Sequence, residues 1–245
     1  MPNNIKTALI ASTGVLLSSV AHGAVVTSWS FNAATTTVAD VGNGEGNAVE
    51  TTLRAANVSK VKKSPNARTQ VINRALEVLN FDSVATRSGH DGLQFDADTT
   101  AFDGISVSFL QQNGVRSSAW AQFQYSIDGG VTFITTGLDN DGAYRVTATK
   151  NFQRFNFDLS GIAGIDNNAD FQFRVMAIHA PDANKFVATS GKRYTATGKT
   201  ATWKFDEVVV SGATSAPVTA VPAPGAIALL MAAGSIATGG RRRQH

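Results

Sequence analysis

The sequence predicts an all-β protein, with an antiparallel β-sandwich over residues 24–212 between an N-terminal export segment and a C-terminal membrane segment. Two observations lead to this fold class. About nine short stretches are rich in β-branched and aromatic residues, and clusters of Gly, Asp and Asn separate them. A helical period is nearly absent, whereas several stretches alternate apolar with polar residues, as a strand with one buried face does.

The first half of the domain contains three predicted strands and one ambiguous stretch. Residues 25–31, which include Trp29, open the domain with near alternation, and residues 93–95 and 104–109 favour strands for the same reason. Residues 71–79 (VINRALEVL) are compatible with either a short helix or a strand. The strands of this half are therefore predicted less densely than those of the second half.

The second half has a more regular pattern. Residues 119–127 favour a strand, the sequence DGG at 128–130 favours a hairpin turn, and residues 131–135 return. Further strands are predicted at 152–159, 170–178 and 200–210, and Phe171, Phe173 and Val175 alternate with polar residues. These turns and strands are typical of a sandwich.

The N-terminus, residues 1–23, has the organisation of a secretory signal peptide. Lys6 provides the positive charge, residues 7–17 the apolar segment, and residues 18–23 the small-residue cleavage region. Ala21 and Gly23 occupy the two small-residue positions before a cut at Ala24. The sequence therefore predicts that the domain is exported.

The C-terminus, residues 221–245, reads in three parts. An extended motif of Val221, Pro222, Ala223 and Pro224 precedes an apolar run at about 225–240, and Arg241, Arg242 and Arg243 follow. As a helix, a run of about 16 residues rises roughly 24 Å, which predicts a short transmembrane helix held by cytoplasmic arginines. The alternative is a buried core helix, but the run lacks the polar face of a surface helix.

The order of these three parts resembles the PEP-CTERM sorting signal of Gram-negative, biofilm-forming bacteria. This chain has Pro222-Ala223-Pro224 where the commonest motif has Pro-Glu-Pro. The resemblance implies that an exosortase-type membrane protease is a partner and that the C-terminal helix inserts in the inner membrane. It also implies delivery to the cell envelope, the cell surface or the extracellular matrix.

Four segments resemble the extracellular domains often found ahead of such tails, namely 125–133, 157–162, 167–175 and 203–212. The resemblance implies a jelly-roll, concanavalin A-like or galactose-binding-like sandwich. It also implies that the last strand, near Trp203, lies close to the first, near Val26. Residues 213–220 are then a linker to the membrane.

The charge of the domain gives no argument for nucleic acid as a partner. The formal net charge is +3, but without Lys6 and the three C-terminal arginines 17 basic and 18 acidic side chains remain. Residues 54–74 contain six basic residues and no acid. This stretch is either a solvated face or a patch for acidic polysaccharide or lipid headgroups.

The sequence gives no sign of an enzyme. There is no cysteine, and neither a GxSxG elbow nor an HExxH zinc motif occurs. A pair of carboxylates for glycoside hydrolysis is a spatial arrangement, so it stays open. The candidates for such a pair are Asp96, Asp98, Asp103, Asp158, Asp206 and Glu207.

No metal ligand set or cofactor is predicted, although calcium is the ion that the turns suit best. Residues 139–141 and 166–170 offer carboxylate and amide oxygens on turns. For sugar binding, the loop-like aromatic residues Tyr144, Phe186 and Tyr194 are the candidate glycan contacts. Trp29, Trp120 and Trp203 fall on strand patterns and are expected in the core.

These observations leave three hypotheses for the function. The first is an exported, non-catalytic surface or matrix protein associated with biofilm or exopolysaccharide. The second is a carbohydrate-binding module that recognises exopolysaccharide, and exposed aromatic residues on one sheet face would favour it. The third is a secreted glycoside hydrolase, which requires two carboxylates about 5–10 Å apart in a cleft.

Overall fold

The computed structural model describes residues 23–32, 37–57, 73–82, 87–147 and 150–215, and eleven β-strands lie within them. They are β1 (Ala24–Trp29), β2 (Gly46–Val49), β3 (Thr52–Asn57), β4 (Arg74–Leu79), β5 (Gly92–Asp96), β6 (Phe102–Asn113), β7 (Trp120–Ser126), β8 (Ala143–Arg145), β9 (Gln153–Asp158), β10 (Gln172–Ala177) and β11 (Trp203–Thr214). A single 3-10 turn at Asp139–Gly142 is the one helical element of the described part.

The strands form two antiparallel sheets. The six-stranded sheet has the order β3-β4-β11-β6-β9, and β1 also pairs with β11. The five-stranded sheet has the order β2-β5-β10-β7-β8. The predicted all-β antiparallel sandwich is therefore confirmed, whereas its assignment to a jelly-roll or a related fold stays a prediction.

Aromatic side chains from both sheets meet in one core. Phe123 of β7 stacks on Phe157 of β9 with the ring centroids 4.1 Å apart, and Trp29 of β1 lies 4.9 Å from Phe95 of β5. Trp203 is also fully buried, so the prediction that Trp29 and Trp203 are core residues is confirmed. Burial of these rings is the main stabilising contribution to the fold, since each aromatic side chain removes a large apolar area from water.

β11 is the central strand of the six-stranded sheet. One of its edges pairs with β6, and the other pairs first with β4 at Trp203–Phe205 and then with β1 from Val208 to Gly212. Where β11 changes from β4 to β1, its register with β6 also shifts, between Asp206 and Val209. Glu207, within this shift, has a φ of 45°. The first and last strands are thus neighbours, as the resemblance implied.

Several boundaries differ from the prediction. The ambiguous stretch 71–79 contains a strand, β4, and β2, β3 and β8 were not predicted. The return at 131–135 forms a single bridge, at Ile134, instead of a strand. β11 continues through Thr214, two residues into the predicted linker, because Ala213 and Thr214 still pair with β6.

The predicted export and sorting segments fall on residues that the structure does not describe. Apart from Gly23, the signal peptide 1–23 lies outside the described residues, as do residues 216–220 of the linker and the whole tail at 221–245. The described residues contain no helix that is long and apolar enough to cross a membrane.

Candidate functional site

A row of polar side chains crosses the outer face of the five-stranded sheet. Asn47 of β2 pairs with Gln94 of β5, Gln94 pairs with Arg174 of β10, and Arg174 pairs with Gln124 of β7. Residues directly opposite each other in antiparallel strands point to the same face. The chain neighbours of Gln94, Arg174 and Gln124, such as Phe173, are buried in the core, so these three side chains point outward, and Asn47 shares their face because it stands opposite Gln94.

Hydrogen bonds connect this row to its neighbours on the same face. Arg174 donates from Nε to Gln124 Oε1 over 2.6 Å, and Gln124 donates from Nε2 to Gln122 Oε1 over 2.7 Å. Gln94 donates from Nε2 to Gln172 Oε1 over 2.8 Å. These bonds fix the planes of the amide and guanidinium groups. The outer face is therefore a preorganised polar surface.

Phe133 places an aromatic ring against the row. The guanidinium carbon of Arg174 lies 4.0 Å from the centroid of the Phe133 ring, a cation–π contact. Ile134 pairs with Tyr125, so its chain neighbour Phe133 falls on the outer face of the sheet. Partial burial of the guanidinium lowers the pKa of Arg174.

The turn after β7 holds Phe133 in place. The carboxylate of Asp128 accepts hydrogen bonds from the Ser126 hydroxyl and from both the backbone and the side chain of Thr132. These bonds lower the pKa of Asp128 to about 2. Gly130 has a φ of +85°, and a Cβ at this position would lie 2.5 Å from Gln172 Oε1. Glycine therefore allows the turn to pack directly on the row.

Trp120 lies at the opposite end of β7, at the first position of this strand. The sequence predicted a core position, but this prediction is wrong: the side chain is half-buried, because Trp120 points outward while its neighbour Ala121 is fully buried. One edge of the outer face thus carries an aromatic ring at each end, Trp120 and Phe133.

The unused hydrogen-bonding capacity of the face defines what it can bind. Within the described part of the chain, the Asn47 amide, Gln94 Oε1, Gln172 Nε2 and the two terminal nitrogens of Arg174 have no hydrogen-bond partner. Both donors and acceptors are therefore available side by side. A sugar hydroxyl both donates and accepts, as a serine hydroxyl does, so such a surface is complementary to a row of hydroxyl groups.

The predicted aromatic contact Tyr144 is not a surface platform. It lies on β8, opposite Ala121 and therefore on the inner face, and it packs against Phe155 with the ring centroids 4.4 Å apart. Its hydroxyl donates to Gln111 Oε1 over 2.8 Å, and burial raises the pKa of the phenol well above its usual value. Tyr144 is half-buried and lines a surface slot together with Phe157.

The other two predicted contacts stack on each other. The ring centroids of Phe186 and Tyr194 are 4.8 Å apart, and Phe186 is 9% exposed. Phe186 is thus a buried support. Tyr194 is half-buried and lines a cleft at one end of the sandwich, where its hydroxyl donates to the backbone oxygen of Asp82 over 2.7 Å.

The six carboxylates considered for hydrolysis are not brought together in a cleft. Three surface clefts of the described residues have a known lining, and Asp158 is the only one of the six carboxylates in these linings. Its pKa and that of Asp98 are lowered by hydrogen bonds from Ser160 and Thr100. Asp206 is 4% exposed, and burial raises its pKa to about 6.

The turns proposed for calcium have structural roles. Asn140 and Asp141 adopt left-handed backbone conformations in the 3-10 turn, and the backbone oxygen of Asp141 accepts a hydrogen bond from Gln122. Asn168 caps the second turn by donating to Gly164 O over 2.6 Å. Among the residues that the structure describes, no group of three or more His, Cys, Asp or Glu side chains is arranged for a metal ion.

Sequence reasoning missed the members of the row. Glutamine at alternate positions of a strand fits any solvent-facing surface, so Gln94, Gln124 and Arg174 carried no individual signal. A combined signal did exist. The sequences WAQFQYS of β7 and QFRVMA of β10 place planar polar side chains at every second position of two adjacent strands.

Comparisons with known proteins identify no family. No protein-family model and no curated protein matches the chain. Similar solved structures include the mannan-recognising carbohydrate-binding module TmCBM27, at 10% identity and a TM-score of 0.40, covering 79% of this chain and 100% of that one. The C-terminal family 22 carbohydrate-binding module of Clostridium thermocellum Xyn10B aligns at 11% identity and a TM-score of 0.39, covering 77% and 94%.

A third similar structure holds the N-terminal CBM22-1 and GH10 modules of Clostridium thermocellum xylanase 10B with xylohexaose. It aligns at 11% identity and a TM-score of 0.39, over 72% of this chain. The chain spans about a quarter, 27%, of the length of that protein. The function of the chain must accordingly be argued from its own side chains.

Proposed function

We propose that this chain is an exported, non-catalytic carbohydrate-binding protein that binds a polysaccharide on the outer face of its five-stranded sheet. One observation carries the proposal: Asn47, Gln94, Arg174 and Gln124 stand in register across four strands with donors and acceptors left free. At about 4.8 Å between strands, this row is roughly 14 Å long, enough to contact more than one sugar ring.

Arg174 is the expected centre of the site. Its Nε is held by Gln124 and its plane by the Phe133 ring, so the two terminal nitrogens have a fixed direction. A fixed guanidinium loses less side-chain entropy on binding than a free one, which strengthens each hydrogen bond that it makes to a ligand. Trp120 offers a ring face at the far end of β7.

We place this activity outside the cytoplasm of a Gram-negative cell, in the cell envelope, on the surface or in a biofilm matrix. The signal-peptide organisation of residues 1–23 and the PEP-CTERM-like tail at 221–245 support this part of the proposal. The tail would anchor the chain in the inner membrane until an exosortase-type protease processes it. Exopolysaccharide is the ligand that such a location offers.

A glycan array with the full chain in detergent tests the binding function. We expect the wild-type chain to bind one class of polysaccharide and the double variant Gln94→Ala/Gln124→Ala to lose that signal. The matched control is Ser106→Ala/Ser211→Ala, which removes a hydrogen-bonded pair from the outer face of the other sheet and should bind normally. Absence of binding to any glycan would reject the proposal in favour of a purely structural surface protein.

Mass spectrometry of the protein recovered from cells tests the sorting. We expect a mature N-terminus at Ala24 and a C-terminus trimmed near Pro222-Ala223-Pro224. Deletion of residues 221–245 should move the protein out of the membrane fraction. An untrimmed chain, or fractionation that does not change on deletion, would contradict the sorting role while leaving the glycan-binding face untouched.

A further inference from the structure

Loops meet at one end of the sandwich around a cleft of about 560 Å³. The loops lead into β5 and β7 and leave β4 and β10, so the cleft lies at the end of the five-stranded sheet where β7 begins at Trp120. Six residues dominate its lining: Asp82, Arg87, Asp91, Arg116, Arg193 and Tyr194. This cleft is separate from the polar row on the outer face.

Charged side chains on one side of the cleft contact one another or the backbone. Arg87 Nη1 forms an ion pair with Asp82 Oδ2 at 2.9 Å, and the carboxylate of Asp91 accepts a hydrogen bond from the backbone N–H of Asp82. Burial raises the pKa of Asp91. The ion pair and this hydrogen bond fix the wall of the cleft, while Asp91 and Glu50 form no ion pair within the described residues.

The guanidinium groups of Arg116 and Arg193 differ from that of Arg87 in their bonding. Neither forms an ion pair or a side-chain hydrogen bond within the described part of the chain, and Glu50, which also lines the cleft, pairs with neither. All 18 acidic residues of the sequence fall within the described ranges, so the remaining segments hold no acid that could neutralise these two arginines.

The backbone around these arginines is fixed. The N–H of Arg116 donates to Thr200 O over 2.9 Å, and the N–H of Thr195 donates to Arg116 O over 2.9 Å. Tyr194 is held by its hydrogen bond to Asp82 and by its stack on Phe186. Thr195, next to this ring, has a buried hydroxyl for which the described residues provide no hydrogen-bond partner.

The connection between β10 and β11 adds positive charge beside the cleft, whose own lining holds three arginines and three carboxylates. Residues 183–199 of this connection contain four basic residues and no acid: Lys185, Lys192, Arg193 and Lys199. Such a local field attracts an anion and raises its concentration near the cleft.

From these observations we infer that the cleft binds the carboxylate of an acidic sugar, a uronate unit of the polysaccharide that the outer face holds; this inference rests on the proposed function. Arg116 and Arg193 supply planar, paired donors that suit a carboxylate, and Tyr194 presents a ring beside them. The outer face then recognises hydroxyl groups and the cleft recognises the charge.

The test compares oligogalacturonate with its methyl ester, which has the same backbone without the charge. With the full chain in detergent, we expect the acid to bind at least tenfold more tightly than the ester. Arg116→Gln/Arg193→Gln should abolish this preference by weakening binding of the acid to the level of the ester. Lys150→Gln/Arg154→Gln removes the same charge from an exposed site elsewhere and should keep the preference.

Equal affinity for acid and ester, or a preference that survives in the cleft double variant, would overturn the inference. So would binding of anionic vesicles, DNA or a sulfated glycan that depends on the two arginines while oligogalacturonate does not bind. If neither oligosaccharide binds, the uronate inference fails, and the glycan array decides separately whether the proposed function also fails.

Discussion

Each sheet carries a row of polar side chains on its outer face, and the two rows have the same geometry. They differ in how the side chains bond to one another. On the six-stranded sheet, Arg54, Glu77, Lys204 and Gln112 stand opposite one another on four successive strands. On the five-stranded sheet the corresponding row is Asn47, Gln94, Arg174 and Gln124. Both rows follow from the alternation of side chains along paired strands.

The bonds within the two rows indicate different roles for the two faces, one in stability and the other in ligand binding. Arg54 forms an ion pair with Glu77, and Arg154 forms another with Glu207 nearby, so ion pairs join charges on the six-stranded face, where Lys204 also stands opposite Glu77. The row of the five-stranded face contains three neutral amides and one cation, Arg174, and their donors and acceptors exceed the bonds that they make to each other. We therefore expect substitutions on the first face to change folding and substitutions on the second to change binding.

The largest effect is expected from Arg174→Ala. Loss of a charged hydrogen-bond donor costs about 2–3 kcal/mol, which corresponds to glycan affinity weaker by roughly 30- to 150-fold. Isothermal titration calorimetry with the best ligand from the array measures it. Arg154→Ala, its counterpart on the other face, should leave affinity within twofold. An Arg154 effect as large as that of Arg174 would remove the distinction between the faces.

Asp206→Asn should stabilise the protein at neutral pH. Burial raises the pKa of Asp206 from an ordinary value of 3.8 to about 6, so the folded state disfavours the ionised form. The native protein loses stability as the pH rises from about 3.8 to about 6 and beyond, and the variant does not. At pH 7.5 we expect a gain of about 3 kcal/mol in the free energy of unfolding.

Urea unfolding of the native protein and of Asp206→Asn, at pH 3.5 and at pH 7.5, measures this difference. The two proteins should have the same stability at pH 3.5, where the carboxyl group is protonated in both the folded and the unfolded state. A pH-independent difference would mean that the asparagine acts through packing or hydrogen bonding. Glycan affinity should not change in either case.

Gly130→Ala should have a moderate effect on both stability and glycan affinity. The left-handed backbone costs an alanine about 1 kcal/mol, and the new Cβ would displace the Gln172 amide from the outer face. We expect a loss of about 1 kcal/mol in stability and a several-fold loss of affinity. Gly191 also has a positive φ, but nothing lies within 4 Å of its Cβ position. Gly191→Ala should therefore reproduce the stability loss alone.

The smallest effect is expected from Glu77→Gln. Glu77 is 4% exposed, but its partner Arg54 is largely exposed, and solvent screens such a pair. We expect a loss of no more than about 1 kcal/mol, measured as a shift in the urea midpoint, with unchanged glycan affinity. Weaker glycan binding by this variant would show that the six-stranded face also contacts the ligand.

The sequence was sufficient for the fold class because alternation and turn chemistry act locally. Phe173 and Val175 identified a strand with one buried face, and the glycines at 129–130 marked a real turn. The short strand β8 was missed because three residues, Ala143–Arg145, give no measurable period. β2 and β3 were missed because their residues have weak strand propensity and pair only through long-range contacts.

The candidate site was less accessible to sequence reasoning. Tyr144 and Phe186 looked like loop residues, but the pairing of β8 and the stack beneath Tyr194 turned them inward. Arg174 is an ordinary strand residue until β7 and β10 are placed side by side. Register decides which polar residues become neighbours, and a single sequence does not contain the register of distant strands.

The position of β11 has a consequence for biosynthesis. This strand begins at Trp203 and is bonded to β1, β4 and β6, so the six-stranded sheet lacks its middle until a late stage of translation. Without β11, those three strands would have unsatisfied edges and no common partner. We therefore expect a nascent chain that ends before Trp203 to lack a complete six-stranded sheet.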